Sequence, residues 1–285
     1  MKKNIGISVI IPTYNYQHIL QKTLDSLVDQ SLDKNRYEVI VVDDGSSDNT
    51  RNFVETYQAN IALRYFFQED SGFQVAKARN VGITHATFNR ILFLDSGMVA
   101  APDLLVQHYQ WAQNDNQVVL VGLSYGVYEF SDDNHQLILD IFSQNDLATT
   151  FSIMKKCLTL YDCRYHYLES IKFDSSKLTI PWILCWTGQL SCSTEILSQI
   201  GGFDEWFNSW GGEDVELGLR LFKIGCQFHF LAEMYALHYP HNKDPESKQL
   251  SAKANIEYIH DKHNLPATKL MKEHNWQEIV IEQSF

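Results

Sequence analysis

No cysteine pair in this chain has Cys-x-x-Cys spacing, and the five cysteines (Cys157, Cys163, Cys185, Cys192 and Cys226) are an odd number. A structural zinc is therefore not expected. Reduced thiols in a reducing compartment fit the pattern better than a disulfide framework. Basic clusters are missing too. The net charge is -12, and no run of Lys and Arg is long enough to follow a phosphate backbone, which argues against a nucleic-acid binder. Local basic groups can still meet a small phosphate ligand. Long hydrophobic runs are absent: the apolar stretch from Ile7 to Pro12 is short and contains Ser8. Neither a signal sequence nor a membrane span is expected. A cytoplasmic location follows as the expectation, with peripheral membrane association through a partner left open. There is no repeat or low-complexity tract, no Gly-x-Gly-x-x-Gly fingerprint and no Walker phosphate loop.

What is present suits one large globular domain or two intimate halves. The chain has 285 residues, 45% hydrophobic and 20% charged. Aromatic residues make up 13%, and several cluster late in the chain as Trp182, Trp186, Trp206, Phe207 and Trp210. Such rings serve cores as readily as sugar-binding clefts.

The first third alternates apolar β-branched runs with helical stripes. Ile7 to Pro12, Tyr37 to Val42, Ala62 to Phe67 and Arg90 to Leu94 read as strands. Ile19, Leu20, Thr23, Leu24 and Leu27 mark a helix, and Gln74 to His85 another. Continuous apolar strands separated by helices predict a mainly parallel sheet covered on both faces. Ligands of such sheets bind beyond the carboxyl ends of the strands. The polar tips Thr13 to Asn15, Asp43 to Gly45 and Asp95 to Gly97 would meet at that edge. Asp43 and Asp44 could also be plain turn formers. Pro102 to Gln113 reads as a helix and Val118 to Gly122 as a strand. Ser131 to Asn134 looks turn-like, and residues 131 to about 179 read as an inserted set of helices and loops, either an acceptor wall or a cover for the sheet.

Further on, Asn208-Ser209-Trp210-Gly211-Gly212-Glu213-Asp214 runs into a helical pattern of Val215, Leu219 and Phe222, with Gly225 at the expected end. Asp214 reads either as an N-cap or as a carboxylate placed to accept a proton from a bound hydroxyl. A helix mouth favours its ionised form.

Val9-Ile10-Ile11-Pro12-Thr13-Tyr14-Asn15, Val41-Val42-Asp43-Asp44-Gly45-Ser46-Ser47-Asp48, Ala76-Lys77-Ala78-Arg79-Asn80-Val81-Gly82 and Leu92-Phe93-Leu94-Asp95 resemble, in order and spacing, the family-two glycosyltransferases. The later Trp-Gly-Gly-Glu-Asp sequence is similar to the branch that shares its carboxyl-terminal part with galactosyltransferases. Together the resemblance covers roughly residues 5 to 245. It implies the GT-A fold: a Rossmann-like mixed, mainly parallel sheet flanked by helices. One domain would span 1–245, with a nucleotide-binding half over 1–105 and an acceptor and catalytic half over 106–245. Residues 246–285 would be a helical appendage without assigned chemistry.

The resemblance also implies roles. Pro12, Thr13, Tyr14 and Asn15 would border the nucleoside, and Asp44 would meet the base. Lys77, Arg79, Asn80, Asp95 and Ser96 would lie along the nucleotide-sugar. Trp186, Gly188, Gln189, Trp210, Gly211 and Gly212 would line the donor and acceptor sugars. Asp214 would be the general base, and Glu213 would hold acceptor hydroxyls or orient the site. A divalent cation, Mn2+ or Mg2+, would be held by Asp95 and His238, with His241 as the spare. Here the chain departs from its relatives. The family's Asp-x-Asp motif usually ends in the direct metal ligand, and that position is Gly97. Without a metal, Lys77 and Arg79 would face the diphosphate.

The reaction implied is transfer of a sugar from a nucleotide-sugar, a UDP-sugar by default, to a glycan, glycoconjugate or natural-product hydroxyl with inversion. A nucleotidyltransferase would want a Gly- and Arg-rich loop after the first strand, and Pro12-Thr13-Tyr14-Asn15 is not one. A catalytically silent carbohydrate- or nucleotide-binding relative is the remaining alternative. Gly97 favours it, and Glu213 with Asp214 argues against it.

Overall fold

The computed structural model describes residues 3–113, 117–127, 132–241 and 245–282. Eight strands form one sheet: β1 (Asn4–Thr13), β2 (Tyr37–Asp43), β3 (Leu63–Phe67), β4 (Phe88–Leu94), β5 (Met98–Ala100), β6 (Val118–Tyr125), β7 (Gln189–Ser193) and β8 (Gln227–His238). Their spatial order is β3-β2-β1-β4-β7-β6-β8-β5. The first four in that order are mutually parallel. β7 runs antiparallel to both β4 and β6, and β5 antiparallel to β8. β6 and β8 are parallel. The sheet is thus mixed and mainly parallel, as expected.

Helices connect and flank these strands: α1 (Gln17–Val28), α2 (Thr50–Glu55), α3 (Val75–His85), α4 (Leu104–Ala112), α5 (Asp132–Gln144), α6 (Leu147–Met154), α7 (Tyr165–Ser170) and α8 (Thr194–Gln199). After them come α9 (Glu213–Lys223), α10 (Pro245–His263), α11 (Pro266–Leu270) and α12 (Trp276–Glu282). All five residues of the stripe foreseen in α1 are buried.

The continuous apolar strands sit where both faces are covered. Along β1, Ile7, Val9 and Ile11 join one core cluster, and Ile10 joins the other. β2 divides the same way, with Val39 and Val41 on one side and Ile40 and Val42 on the other. Side chains alternate with a period of two, so a strand buried on both faces is apolar at every position.

Three local expectations change. Asp132 to Asn134 belong to the first turn of α5 rather than to a loop, and Ser131 lies outside the described residues. The buried face of α9 includes Glu216, Leu217 and Leu221, while Phe222 of the foreseen stripe is exposed. Its end is as foreseen: Gly225 has φ +86°, its N–H donates to Phe222 O at 3.0 Å, and Cys226 N–H donates to Leu221 O at 3.1 Å. That pair of bonds is a Schellman cap, which needs a left-handed residue. The third change is that β5, β7 and β8 were not foreseen as strands. Among the described residues no helix is long and apolar enough to cross a membrane.

Candidate active site

The parallel pairing of β1 with β2 sets Thr13 beside Asp43, and Asp44 N–H donates to Thr13 O at 2.9 Å. The two adjacent aspartates then divide their work. Asp43 holds the turn: it accepts from Ser46 N–H at 2.7 Å and from the Tyr65 hydroxyl at 2.7 Å. Asp44 accepts from the Gln68 amide and from Gln74 N–H, the latter at 2.8 Å. Burial raises its pKa, against the pull of those two donors. Asn15 takes a left-handed backbone, φ 51°, and its side-chain oxygen accepts from Ser47 N–H at 2.8 Å. Asparagine tolerates that conformation. Tyr14 is exposed, and its hydroxyl donates to Asp70 at 2.9 Å.

Arg79 joins two distant parts of the chain. It is 2% exposed and lies on α3. One guanidinium nitrogen meets Asp95 at 2.8 Å, at the tip of β4, and the other meets Glu213 at 3.0 Å, at the start of α9. The ring of Phe203 lies 5.2 Å from the guanidinium. Burial opposes the charge, but the two carboxylates outweigh it and hold Arg79 ionised. Arg79 is thus committed to two carboxylates, while Lys77 on the same helix is exposed.

Asp214 follows Glu213 in the first turn of α9. The N-cap is Gly212, not Asp214. Asp214 accepts from Val215 N–H at 2.7 Å. Burial and the neighbouring Glu213 carboxylate push its pKa up to about 7, more than Arg79 pulls it down. That burial beside Glu213 acts against the helix mouth, which by itself favours the ionised form. A carboxylate poised near neutrality is suited to proton transfer.

Several buried polar atoms around these tips have no hydrogen-bond partner among the described residues: Thr13 Oγ1, Ser96 Oγ, Arg79 Nε and Glu213 Oε2. Such atoms are costly unless a ligand or water meets them. Glu213 Oε2 is suited to accept from a hydroxyl.

Other foreseen residues are placed differently. Asn80 ties the turn after α8: its amide donates to Phe203 O and Glu205, each at 2.9 Å, and its oxygen accepts from Phe203 N–H at 2.7 Å. Gln189 is buried in β7, where its amide nitrogen lies 3.3 Å from Met234 O. That is a place inside the sheet and not on an open wall, so a direct sugar contact is not what its side chain offers. Trp186 packs against the Arg164 guanidinium at 4.2 Å and edge-on to Trp276. Trp210 is 46% exposed beside the carboxylates. Gly188 has room: a Cβ there would meet only Met98 Sδ, at 3.9 Å.

Gly97 explains its own identity. Met98 N–H donates to Asp95 O at 2.9 Å, closing a turn whose third residue, Gly97, has φ +95°. Turns of this kind want glycine there. A Cβ at Gly97 would come within 2.7 Å of Ile19. His238 ends β8 opposite Met98, and its ring centre lies 5.0 Å from that of His241. Among the described residues no three His, Cys, Asp or Glu side chains cluster as a metal cage. One carboxylate, one imidazole and a ligand diphosphate are oxygen and nitrogen donors that Mn2+ or Mg2+ accepts, and hard cations often take few protein ligands beside phosphates.

Among the positions that sequence reasoning passed over, Asn255, Ser251, Tyr258 and Lys262 on α10 touch the segment that carries Glu213 and Asp214. No short motif marks them, because their partners lie 41 to 58 residues upstream.

Fold and site together define a glycosyltransferase of the GT-A type. The chain belongs to glycosyl transferase family 2, whose model matches residues 8–168, and a model described as the N-terminal domain of galactosyltransferase matches residues 169–242. It is 34% identical over 263 residues to validoxylamine A glucosyltransferase of Streptomyces hygroscopicus subsp. limoneus, covering 90% of this chain and 56% of that one. It is 35% identical over 263 residues to chondroitin synthase of Pasteurella multocida (strain Pm70), covering 89% of this chain and 27% of that one. The chain thus spans only part of the length of these relatives. In fold it is similar to S. aureus TarS 1–349 in complex with UDP-GlcNAc, with a TM-score of 0.66, 19% identity, and coverage of 98% of this chain and 71% of that one.

Proposed function

We propose that this chain transfers a hexose from a nucleotide-sugar, with UDP-sugars the first donors to test, to an acceptor hydroxyl with inversion, and that Asp214 is the general base. The observation that carries this reading is the chain of contacts Asp95–Arg79–Glu213, which joins the strand tip on the nucleotide side to the helix start bearing Asp214. Glycosyltransferases that act on glycans and on a natural product are among its relatives, and a structural neighbour was solved with UDP-GlcNAc.

In the mechanism the acceptor hydroxyl is a poor nucleophile. Asp214, with its pKa near neutrality, takes the proton as the new bond forms. Glu213 offers its unpartnered oxygen to an acceptor hydroxyl and so orients it. Thr13, Asn15 and Asp44 border the nucleoside, and Lys77 faces the diphosphate. Trp210 gives an exposed ring for a sugar face and shields the reacting centre from water. Asp95 and His238 would hold a divalent cation, Mn2+ or Mg2+, which when bound would offset the charge of the leaving diphosphate. We place the transferase domain over 1–245, divided at 105 between its nucleotide and acceptor halves, with 246–285 appended and the protein at work in the cytoplasm. Gly97 favours a silent binding relative only if a lost ligand means lost catalysis. Its backbone conformation gives a conformational reason for glycine instead.

Asp214→Asn tests the reading. Turnover with a UDP-sugar donor should fall by about a hundredfold to ten-thousandfold, while calorimetric UDP binding stays near wild type. Near-normal turnover would remove Asp214 from the role of base.

A further inference from the structure

The family models that match this chain end at residue 242, and α10 begins after that point. The helix nevertheless makes its most specific contacts with the segment that carries the two carboxylates. Asn255 is 2% exposed. Its side-chain nitrogen lies 3.3 Å from Ser209 O, 3.2 Å from Trp210 O and 2.6 Å from Gly211 O. Ser209 Oγ donates back to Asn255 Oδ1 at 3.2 Å. One turn earlier, Ser251 Oγ donates to Trp210 O at 3.0 Å. Three successive loop carbonyls are therefore met by a single asparagine.

The loop needs such outside help. Gly211 and Gly212 both have positive φ, +94° and +95°, so neither could be a side-chain-bearing residue without strain. Two adjacent glycines have no side chain with which to hold themselves. Fixing two such free backbones costs conformational entropy that the loop itself does not repay. The helix packs against both: a Cβ on Gly211 would lie 3.6 Å from Ala252, and one on Gly212 would lie 3.2 Å from Ile259 and 3.5 Å from Asn255. Further along, Tyr258 stacks on Trp206 at 3.6 Å and 7°, and its hydroxyl donates to Asp204 at 2.7 Å. Lys262 reaches Asp204 at 2.6 Å and Glu216 at 2.7 Å, and His263 lies 3.0 Å from Glu216. Glu216 is fully buried within α9. The helix thus grips the loop before, at and after the carboxylates.

We infer that α10 is a brace that fixes the Ser209–Asp214 loop in its working shape, with Asn255 as the positioning residue. The brace itself stands on geometry. Its effect on turnover rests on the proposed role of Asp214. Holding a reacting group to within a fraction of an ångström is what such a brace supplies, since a 1 Å misplacement can cost about a hundredfold in rate.

The test uses the full chain and Asn255→Asp, which keeps the shape, removes both N–H donors and sets a charge against the carbonyls. Hydrogen exchange read by mass spectrometry should accelerate at least about tenfold in the loop, with β1, β2 and β4 unchanged. UDP affinity and donor KM should stay within about twofold, while kcat falls about tenfold to a hundredfold. Wild-type exchange in the loop overturns the brace. A loosened loop with unchanged kcat overturns the positioning role. If Asn255→Asp loosens the sheet as well, Ser251→Ala decides, because it removes one exposed hydrogen bond. It must speed exchange at Trp210 to Gly212 alone, and wild-type exchange there overturns the inference. Asp214→Asn measured in parallel separates the two readings: retained turnover in that variant removes the base, and loop exchange in Asn255→Asp still decides the brace.

Discussion

The nucleotide side and the carboxylate side of this site are built by different means. Thr13, Asp43, Asp44 and Asp95 stand at or just past the ends of parallel strands whose central residues are buried. Their positions follow from the sheet, and their turns close within a few residues, as Ser46 N–H to Asp43 and Met98 N–H to Asp95 O show. Glu213 and Asp214 open α9, directly after a loop with two adjacent glycines. Two long-range ties fix that loop: Arg79 from α3, and Asn255 with its neighbours from α10. A rigid sheet edge suits a ligand that recurs from enzyme to enzyme. Under the proposed function, a loop held by separate struts could change its acceptor without disturbing the sheet edge.

The sharpest way to break this contrast is to remove chemistry from one side alone. Asp214→Asn should leave nucleotide binding intact and lower turnover by about a hundredfold to ten-thousandfold. The wild-type kcat should rise with pH through about 7 and not about 4, because the base works only after it has lost its proton. The stability sign runs the other way. A carboxyl whose pKa is raised on folding gives its full contribution below the ordinary carboxylate range and loses it as pH rises through 7. Asp214→Asn should therefore melt at a higher temperature than wild type near pH 8, with little difference near pH 4, in scanning calorimetry. A variant that is more stable and less active cannot be explained as misfolded.

Arg79→Gln cuts the tie between the two sides. It leaves the nearly buried Glu213 without its cation and frees Asp95. Breaking a buried pair costs about 3–5 kcal/mol. Because the Asp95 side chain is 40% exposed and can be hydrated, the low end, about 3 kcal/mol, is the expected loss in urea unfolding. Both UDP affinity and turnover should fall. Loss of turnover alone would mean that Asp95 does not depend on Arg79.

Legibility in the sequence follows the same division. The strand tips were readable because each is an apolar run followed at once by polar residues, and four such units in order carry more information than any one. Arg79 was named for the nucleotide-sugar, and nothing local to Ala76–Gly82 says that its guanidinium also lies between Asp95 and Glu213. The Asp214 pKa was misjudged because the helix mouth is visible in sequence and the burial beside Glu213 is not. Asn255 was invisible, since an asparagine inside a helical pattern looks like any solvent-facing polar residue until its three carbonyl partners are known. β5, β7 and β8 were missed as strands because they pair antiparallel or late, without the strand-helix alternation that marked the first half.

Asp44→Asn probes the nucleotide side by itself. A hydrogen bond to a charged group contributes about 1.5–3 kcal/mol, so losing one from the carboxylate to the base should weaken UDP about tenfold or more by calorimetry. Turnover at saturating donor should hold, and a fall in kcat at unchanged UDP affinity would move Asp44 out of the nucleoside pocket.

The smallest effect is expected from placing at residue 97 the carboxylate that an Asp-x-Asp motif would have there. Gly97→Asp places a side chain at φ +95° with its Cβ within 2.7 Å of Ile19. The left-handed backbone alone costs about 1–2 kcal/mol, and Ile19 on α1 must also shift. The new Cβ would press on Ile19 of α1 while lying 3.9 Å from His241 Nδ1, so the carboxylate gains a place beside the imidazoles only if α1 yields. Stability should drop by about 1–2 kcal/mol, and manganese affinity, measured by calorimetry in the presence of UDP, should not improve. The double variant Gly97→Asp with Ile19→Ala relieves the clash but keeps the backbone strain and loses a buried side chain, so it should be no more stable than Gly97→Asp alone. A gain in manganese affinity in either variant would show that the turn can open toward the cation, and that the sheet edge is less rigid than its pairing implies.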